Sequence, residues 1–167
     1  ISDEEQMNRF SEWWNEHGTS LLIAVGLAIA SIVGWTFYSD NRQQNIEAST
    51  ALYAEYVDAA AEAKAAIAQQ IKTEFPGTSV HSLVALDEAK KAADDANLAA
   101  ATQALVEARD AAPDALLAEL AMIRLAKVQY AQGNAEEALQ TLQGIRNQGY
   151  QSWALELTGD IYLAEGN

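Results

Sequence analysis

From Gly18 to Ser39 the chain carries no charged residue, and Leu21 to Val33 within that run is almost wholly apolar. As a helix rising about 1.5 Å per residue the run spans roughly 33 Å, enough to cross the hydrocarbon core of a bilayer. Trp13 and Trp14 stand near one end, and Trp35, Phe37 and Tyr38 near the other. Amphipathic rings favour the headgroup level, so Trp13, Trp14, Trp35 and Tyr38 are the expected interfacial anchors. Residues 1–17 hold five acids and one base, the opposite of a cleaved leader's positive start. The expected organisation is an N-terminal segment over 1–17, a transmembrane helix over 18–39 and a domain over 40–167. Charge does not orient the span, because Arg9 before it is matched by Arg42 after it.

Residues 40–167 hold nineteen acids and nine bases, a net −10. Binding nucleic acid requires clustered Lys and Arg to neutralise phosphates, so that class is disfavoured. Anionic headgroups also repel such a domain, which leaves the span as the part that touches lipid. Cysteine is absent, so disulfides play no part.

The domain reads as all helix. Alanine dominates it, with Leu, Glu, Gln and Lys, and no segment alternates apolar and polar residues as a strand would. Breaks at Phe75-Pro76-Gly77-Thr78-Ser79, Asp94-Asp95-Ala96-Asn97, Ala111-Ala112-Pro113-Asp114, Gly133-Asn134 and Gln148-Gly149-Tyr150 divide it. The expected helices are Arg42–Glu74, His81–Ala93, Leu98–Ala108, Leu116–Gln132, Glu136–Asn147 and Trp153–Glu165. Ser79 or Ser82 reads as a helix cap.

The hairpins repeat. Gly133-Asn134 and Gly166-Asn167 lie 33 residues apart, close to the period of about 34 of a tetratricopeptide repeat. With Gly133 at the turn, Leu125 and Ala126 fall on a repeat's first helix and Ala138, Leu142 and Ile145 on its second. The next repeat places Gly159 and Tyr162 at the small and aromatic positions. The earlier hairpin offers Ala89, Ala101, Leu105 and Ala108 at a longer spacing, 37 residues from Ala101 to Ala138. Met122 and Gln129 occupy positions that favour tryptophan and tyrosine, so the repeat is degenerate. Ala126 and Gly159 are expected at close helix crossings, where added volume forces helices apart. A plain antiparallel bundle is the alternative architecture.

One uncharged span ending in Gly34-Trp35, then a long helix, then divergent repeats, resembles the YfgM family of bacterial inner-membrane proteins. The segments that carry the resemblance are Ile32-Val33-Gly34-Trp35 and Leu125-Ala126-Lys127-Val128-Gln129 with the Gly133-Asn134 turn. Members of that family are ancillary subunits of the SecYEG translocon. The resemblance implies a cytoplasmic N-terminus, a periplasmic repeat domain, and partnership with PpiD, a membrane-anchored periplasmic chaperone, and with exported polypeptides. It also implies that the last repeat is truncated at Asn167.

No catalytic constellation stands out. His17 and His81 have no second histidine or cysteine nearby in sequence to share a metal, and Asp87-Glu88 and Asp94-Asp95 read as solvated acids. Gly133-Asn134 belongs to no phosphate-loop pattern. No cofactor and no enzymatic activity are expected. Two features point to binding. Gly26, Ala30 and Gly34 recur every four residues, a spacing that lets a second helix approach closely in lipid. Lys90, Lys127 and Asp160 share one repeat position on the first helices of the hairpins. With Leu86, Ile123, Tyr130, Glu156 and Leu163 they are expected to line a groove for a partner segment. The expected function is a membrane-tethered docking module. A scaffold for cell division or envelope assembly, or an unrecognised membrane enzyme or sensor, is the alternative.

Overall fold

Alanine-rich segments closed by polar caps and left-handed turns give seven helices and no strand among the described residues. The computed structural model describes the backbone of residues 3–166, and the side chains of Ser20 and residues 22–166. The chain divides into two compact units, Ile1–Glu47 and Ala48–Asn167. The first helix, α1 (Asp3–Asp58), runs through both.

In the first unit, α1 carries the apolar run. Leu22, Ile23, Leu27, Ile29, Ile32 and Val33 are all exposed. A helix this long with an apolar surface all round is suited to lipid, and it is the one described helix long and apolar enough to cross a membrane. Its hydroxyls are satisfied within the helix. Ser31 Oγ donates to the Leu27 carbonyl at 2.7 Å and Thr36 Oγ1 to the Ile32 carbonyl at 2.9 Å. No partner outside the helix is then required to bury them in hydrocarbon. Trp35 and Tyr38 are exposed, with ring centroids 6.5 Å apart. The side chains of Trp13 and Trp14 lie outside the described residues.

The second unit contains the end of α1, followed by α2 (Ala61–Glu74), α3 (Ser79–Asp94), α4 (Leu98–Ala111), α5 (Ala115–Ala131), α6 (Ala135–Gln143) and α7 (Gln148–Ala164). The single helix expected over Arg42–Glu74 is therefore two, interrupted at Ala59-Ala60, with Ala60 extended. Alanine favours helix, so the break is tertiary in origin. It lets Tyr56 from α1 and Ile67, Ala68 and Ile71 from α2 pack together on Val84 of α3. Two further core layers follow. One joins α3, α4 and α5 through Ala85, Leu86, Ala89, Leu105, Ala108 and Leu125. The other joins α5, α6 and α7 through Ile123, Ala126, Ala138, Leu142 and Ile161.

Repetition is visible in the backbone itself. Ala96, Gly133 and Gly166 all have positive φ, at 57°, 84° and 81°. They sit just past the C-termini of α3, α5 and α7, which are the first helices of successive hairpins. In the first two turns the next residue closes the helix end with a local capping bond. Asn97 N–H donates to the Ala92 carbonyl at 2.8 Å and Asn134 N–H to the Gln129 carbonyl at 2.9 Å. The spacings of 37 and 33 residues are those that the sequence shows.

Several boundaries differ from those the sequence suggests, each for a local reason. Thr78, not Ser79 or Ser82, caps α3, its Oγ1 accepting from His81 N–H at 3.2 Å. Ser82 is buried and donates to the Ala108 carbonyl at 2.7 Å, tying α3 to α4. Helix α6 stops at Gln143, short of the expected Asn147. The break expected at Gln148-Gly149-Tyr150 lies instead at Gly144–Asn147, and Asn147 caps α7 by accepting from Gly149 N–H at 2.9 Å. The departures from the repeat pattern also have partners. Gln129 is buried and its Oε1 accepts from Thr141 Oγ1 at 2.8 Å across the α5–α6 seam. The Met122 methyl occupies the space that a Cβ on Gly144 would need, 2.5 Å away.

The close crossing expected at Gly159 is absent. Ala126 is fully buried between α5 and α6, but Gly159, its equivalent in the next repeat, is exposed, with nothing within 4 Å of an added Cβ. No helix among the described residues covers that face of α7.

A charged cluster joins α2, α3 and α4. Lys72 Nζ lies 2.5 Å from Glu88 and 2.8 Å from Glu107, and His81 Nε2 lies 3.0 Å from Glu107. Burial pulls the Lys72 ammonium down, but hydrogen bonds to Glu107 and Glu88 outweigh this and hold it above the ordinary lysine value. Burial likewise pushes Glu107 up, and hydrogen bonds to Lys72 and His81 outweigh that, holding it below the ordinary carboxylate range.

Candidate docking groove

Helices α3, α5 and α7 are successive neighbours, with α4 and α6 as their return helices. Stacking of hairpins brings one face of each first helix to a common side. There the residues form two adjoining clefts. The first, of about 370 Å³, lies between α3 and α5 and is lined by Leu86, Ala89, Lys90, Ala93, Leu105, Arg124, Lys127 and Val128. The second, of about 230 Å³, lies between α5 and α7 and is lined by Lys127, Trp153, Glu156, Leu157 and Asp160. Lys127 borders both.

The floor of the first cleft is apolar. Leu86, Ala89 and Leu105 belong to the buried core, and Val128 is half-buried. Its rim is cationic. Lys90 pairs with Asp94 at 2.8 Å, with both side chains exposed, and a pair of that kind holds weakly against solvent. Hydrogen bonding to Asp94 holds the Lys90 ammonium above its ordinary value. Arg124 and Lys127 are exposed and form no ion pair among the described residues. The second cleft carries the opposite sign through Glu156 and Asp160, beside an exposed Trp153 ring.

A third cleft, of about 420 Å³, lies among Tyr56, Lys64, Asp87, Glu88 and Lys91. Its polar groups already have partners, within the cleft or beside it. Tyr56 donates to Asp87 at 2.7 Å, Lys64 sits 5.0 Å from the centre of the Tyr56 ring, Glu88 binds Lys72, and Lys91 binds Asp95 at 2.6 Å. Burial, then the bond to Asp87, raise the Tyr56 phenol well above its ordinary value. Its polar groups are thus less free to meet a ligand than those of the α3–α5–α7 groove.

The structure brings together Leu86, Lys90, Lys127, Glu156 and Asp160 of the expected groove. Ile123 turns instead into the α5–α6–α7 core, and Tyr130 is half-buried against the same core. Leu163 is 77% exposed and lines neither cleft. Arg124, Val128, Trp153 and Leu157 were not among the expected lining. Their signal is helical periodicity, since residues three or four apart share a face. Arg124 precedes Lys127 by three, and Trp153 and Leu157 precede Asp160 by seven and three. On α1, Gly26, Ala30 and Gly34 are all exposed, with open space around both glycines. No group of His, Asp and Glu among the described residues has the arrangement to hold a metal ion.

Residues 11–167 match a family described as a tetratricopeptide repeat-like domain. Three relatives, each named ancillary SecYEG translocon subunit, align with nearly the whole chain. Those of Haemophilus influenzae and Aggregatibacter actinomycetemcomitans are each 28% identical, covering 100% of this chain and 83% of their own length. That of Escherichia coli is 24% identical, covering 99% of this chain and 82% of its own length. These names bear out the resemblance to the YfgM family drawn from the sequence. No solved structure matches the chain.

Proposed function

Since the chain belongs to the tetratricopeptide repeat-like domain family, we propose that it is a docking module of the inner membrane, an ancillary subunit of a SecYEG translocon and not an enzyme. The observation that carries this reading is similarity along the whole chain to three proteins that bear that name. The apolar part of α1 supplies the anchor, with the N-terminus cytoplasmic and the repeats periplasmic. Gly26, Ala30 and Gly34 offer a face on which a helix of the channel can pack closely. The groove of α3, α5 and α7 takes a segment of a second protein, either an exported polypeptide or a PpiD-like chaperone. Tethering is the mechanism. A span held beside the channel keeps the groove at high effective concentration near emerging chains.

The test is capture from native membranes. The affinity-tagged full chain, solubilised in mild detergent, should enrich channel subunits and a membrane-anchored chaperone. The Ala30→Leu, Gly34→Leu double variant should insert normally and lose the channel, while Ile29→Leu, Ile32→Leu should keep it. Absence of channel subunits from the parent's captured proteins would overturn the assignment. Enrichment of division proteins instead would favour an envelope scaffold.

A further inference from the structure

The two clefts differ in sign, and Lys127 is their common border. Residues 40–167 are net negative, yet three of their nine bases, Lys90, Arg124 and Lys127, rim the α3–α5 cleft. Such a concentration against the domain's own field draws an acidic group to that cleft and away from the remaining surface. Arg124 and Lys127 have no acidic partner among the described residues, and the one pair at the rim, Lys90 with Asp94, is exposed. The buried Leu86, Ala89 and Leu105 beneath, with the small Ala93 at the edge, leave room for an apolar side chain. Beyond Lys127 the requirement inverts. Glu156 and Asp160 form no ion pair among the described residues, and the Trp153 ring beside them offers a face to a cation.

Resting on the docking reading above, we propose that the groove selects a polypeptide segment by charge order: acidic residues interleaved with apolar ones in the α3–α5 cleft, and a basic residue against α7. Lys127 sets the register, because it pairs with the acidic part and repels the basic part. A segment of uniform charge satisfies one cleft and is repelled by the other. A segment of inverted order, docked in the same direction, is repelled by both, and turned around it places its acids over the apolar floor without the apolar side chains that fill it.

The experiment uses the full chain in phosphatidylcholine nanodiscs and two dye-labelled peptides read by anisotropy. One peptide carries Asp and Glu interleaved with Leu in one half and Lys in the other. The second exchanges every acid for Lys and every Lys for Asp. The first should bind about tenfold more tightly or better, the scale that opposed interfacial charges give. Added salt should weaken it. Arg124→Glu with Lys127→Glu, both at exposed positions, should abolish the preference. Equal binding of the two peptides, preference for the inverted one, or a preference that survives the double reversal would overturn the proposal. So would a double reversal that instead removes binding to phosphatidylglycerol vesicles. Ala93→Trp, which fills the cleft from its exposed edge, separates this proposal from the docking reading. If that variant loses the captured chaperone or exported chain while the parent prefers neither peptide, docking stands and charge order fails. If it changes neither capture nor peptide binding, both fail.

Discussion

The Glu119 carboxylate, buried in α5, accepts a hydrogen bond from the backbone N–H of Asn147 at 2.8 Å. Its other oxygen accepts from Arg146 N–H at 3.1 Å. One acid on a core helix thus fixes the loop between α6 and α7, twenty-eight residues further along the chain, and sets where α7 begins. Glu119→Ala removes the acceptor of both amides in a part-buried loop, which typically costs about 1–3 kcal/mol. The melting temperature of the solubilised chain should fall, and amide exchange at Arg146 and Asn147 should accelerate more than at Ala121. Unchanged exchange at those two amides would dissociate the loop from Glu119.

Ala126 and Gly159 are equivalent in the repeat but not in packing. Ala126→Leu pushes α5 from α6 and should destabilise by about 1–3 kcal/mol. Gly159 lies in an exposed helix interior with open space, so Gly159→Ala should stabilise by up to about 1 kcal/mol through helix propensity. Thermal melts of the two variants beside the parent decide it. A loss of stability from Gly159→Ala would mean that a partner helix in the melted sample closes that face.

Ala96 holds φ at 57°, where its repeat counterparts are glycines. Left-handed backbone costs a residue with a Cβ roughly 1–2 kcal/mol, and glycine returns part of that gain through greater freedom when unfolded. Ala96→Gly should therefore raise the denaturation midpoint by a small amount, about 0.5–1 kcal/mol in stability. A fall would show that the turn does not require the left-handed conformation.

The hairpin breaks near Pro76, Asp94 to Asn97 and Gly133 were legible because proline, glycine and capping side chains act locally. The break at Ala59-Ala60 was not, since nothing in that dipeptide resists helix; it follows from the joint packing of Tyr56 and Ile67 on Val84. Nor was the true start of α7. Gly149 reads as a breaker, but Asn147 and the distant Glu119 place the break before it. In the groove, the repeat register led to Lys90, Lys127 and Asp160. It did not lead to Arg124 or Trp153, because these lie at unequal places in their repeats and join the groove only through the face they share with a register residue. Gly159 misled for a related reason: register gives equivalence of position, and burial also needs a covering helix.

Acid and base should both weaken the Lys72–Glu107 pair, acid by protonating Glu107 and base by deprotonating Lys72. Glu107 is held below the carboxylate range when folded, so its contribution is present above the unfolded value of about 4.3 and is lost as pH falls through the depressed folded value. Lys72 is held above its ordinary value, so its contribution is complete below about 10.4 and is lost as pH rises through the raised folded value. Melting temperature against pH should show a plateau between these limits. Glu107→Gln should lower that plateau and make the acid limb shallower. An acid limb as steep as the parent's would remove Glu107 from the acid response.

Site-specific photo-crosslinking in cells that are exporting protein tests the docking account most directly. A photoreactive residue is placed at Ala93, on the edge of the groove, or at Gln140, an exposed position on α6 outside the groove. A third position, Ala30, reports on the span. The account predicts crosslinks from Ala93 to an exported chain or a periplasmic chaperone, crosslinks from Ala30 to a channel subunit, and neither from Gln140. Equal labelling from Ala93 and Gln140, or cytoplasmic proteins attached at Ala93, would contradict it.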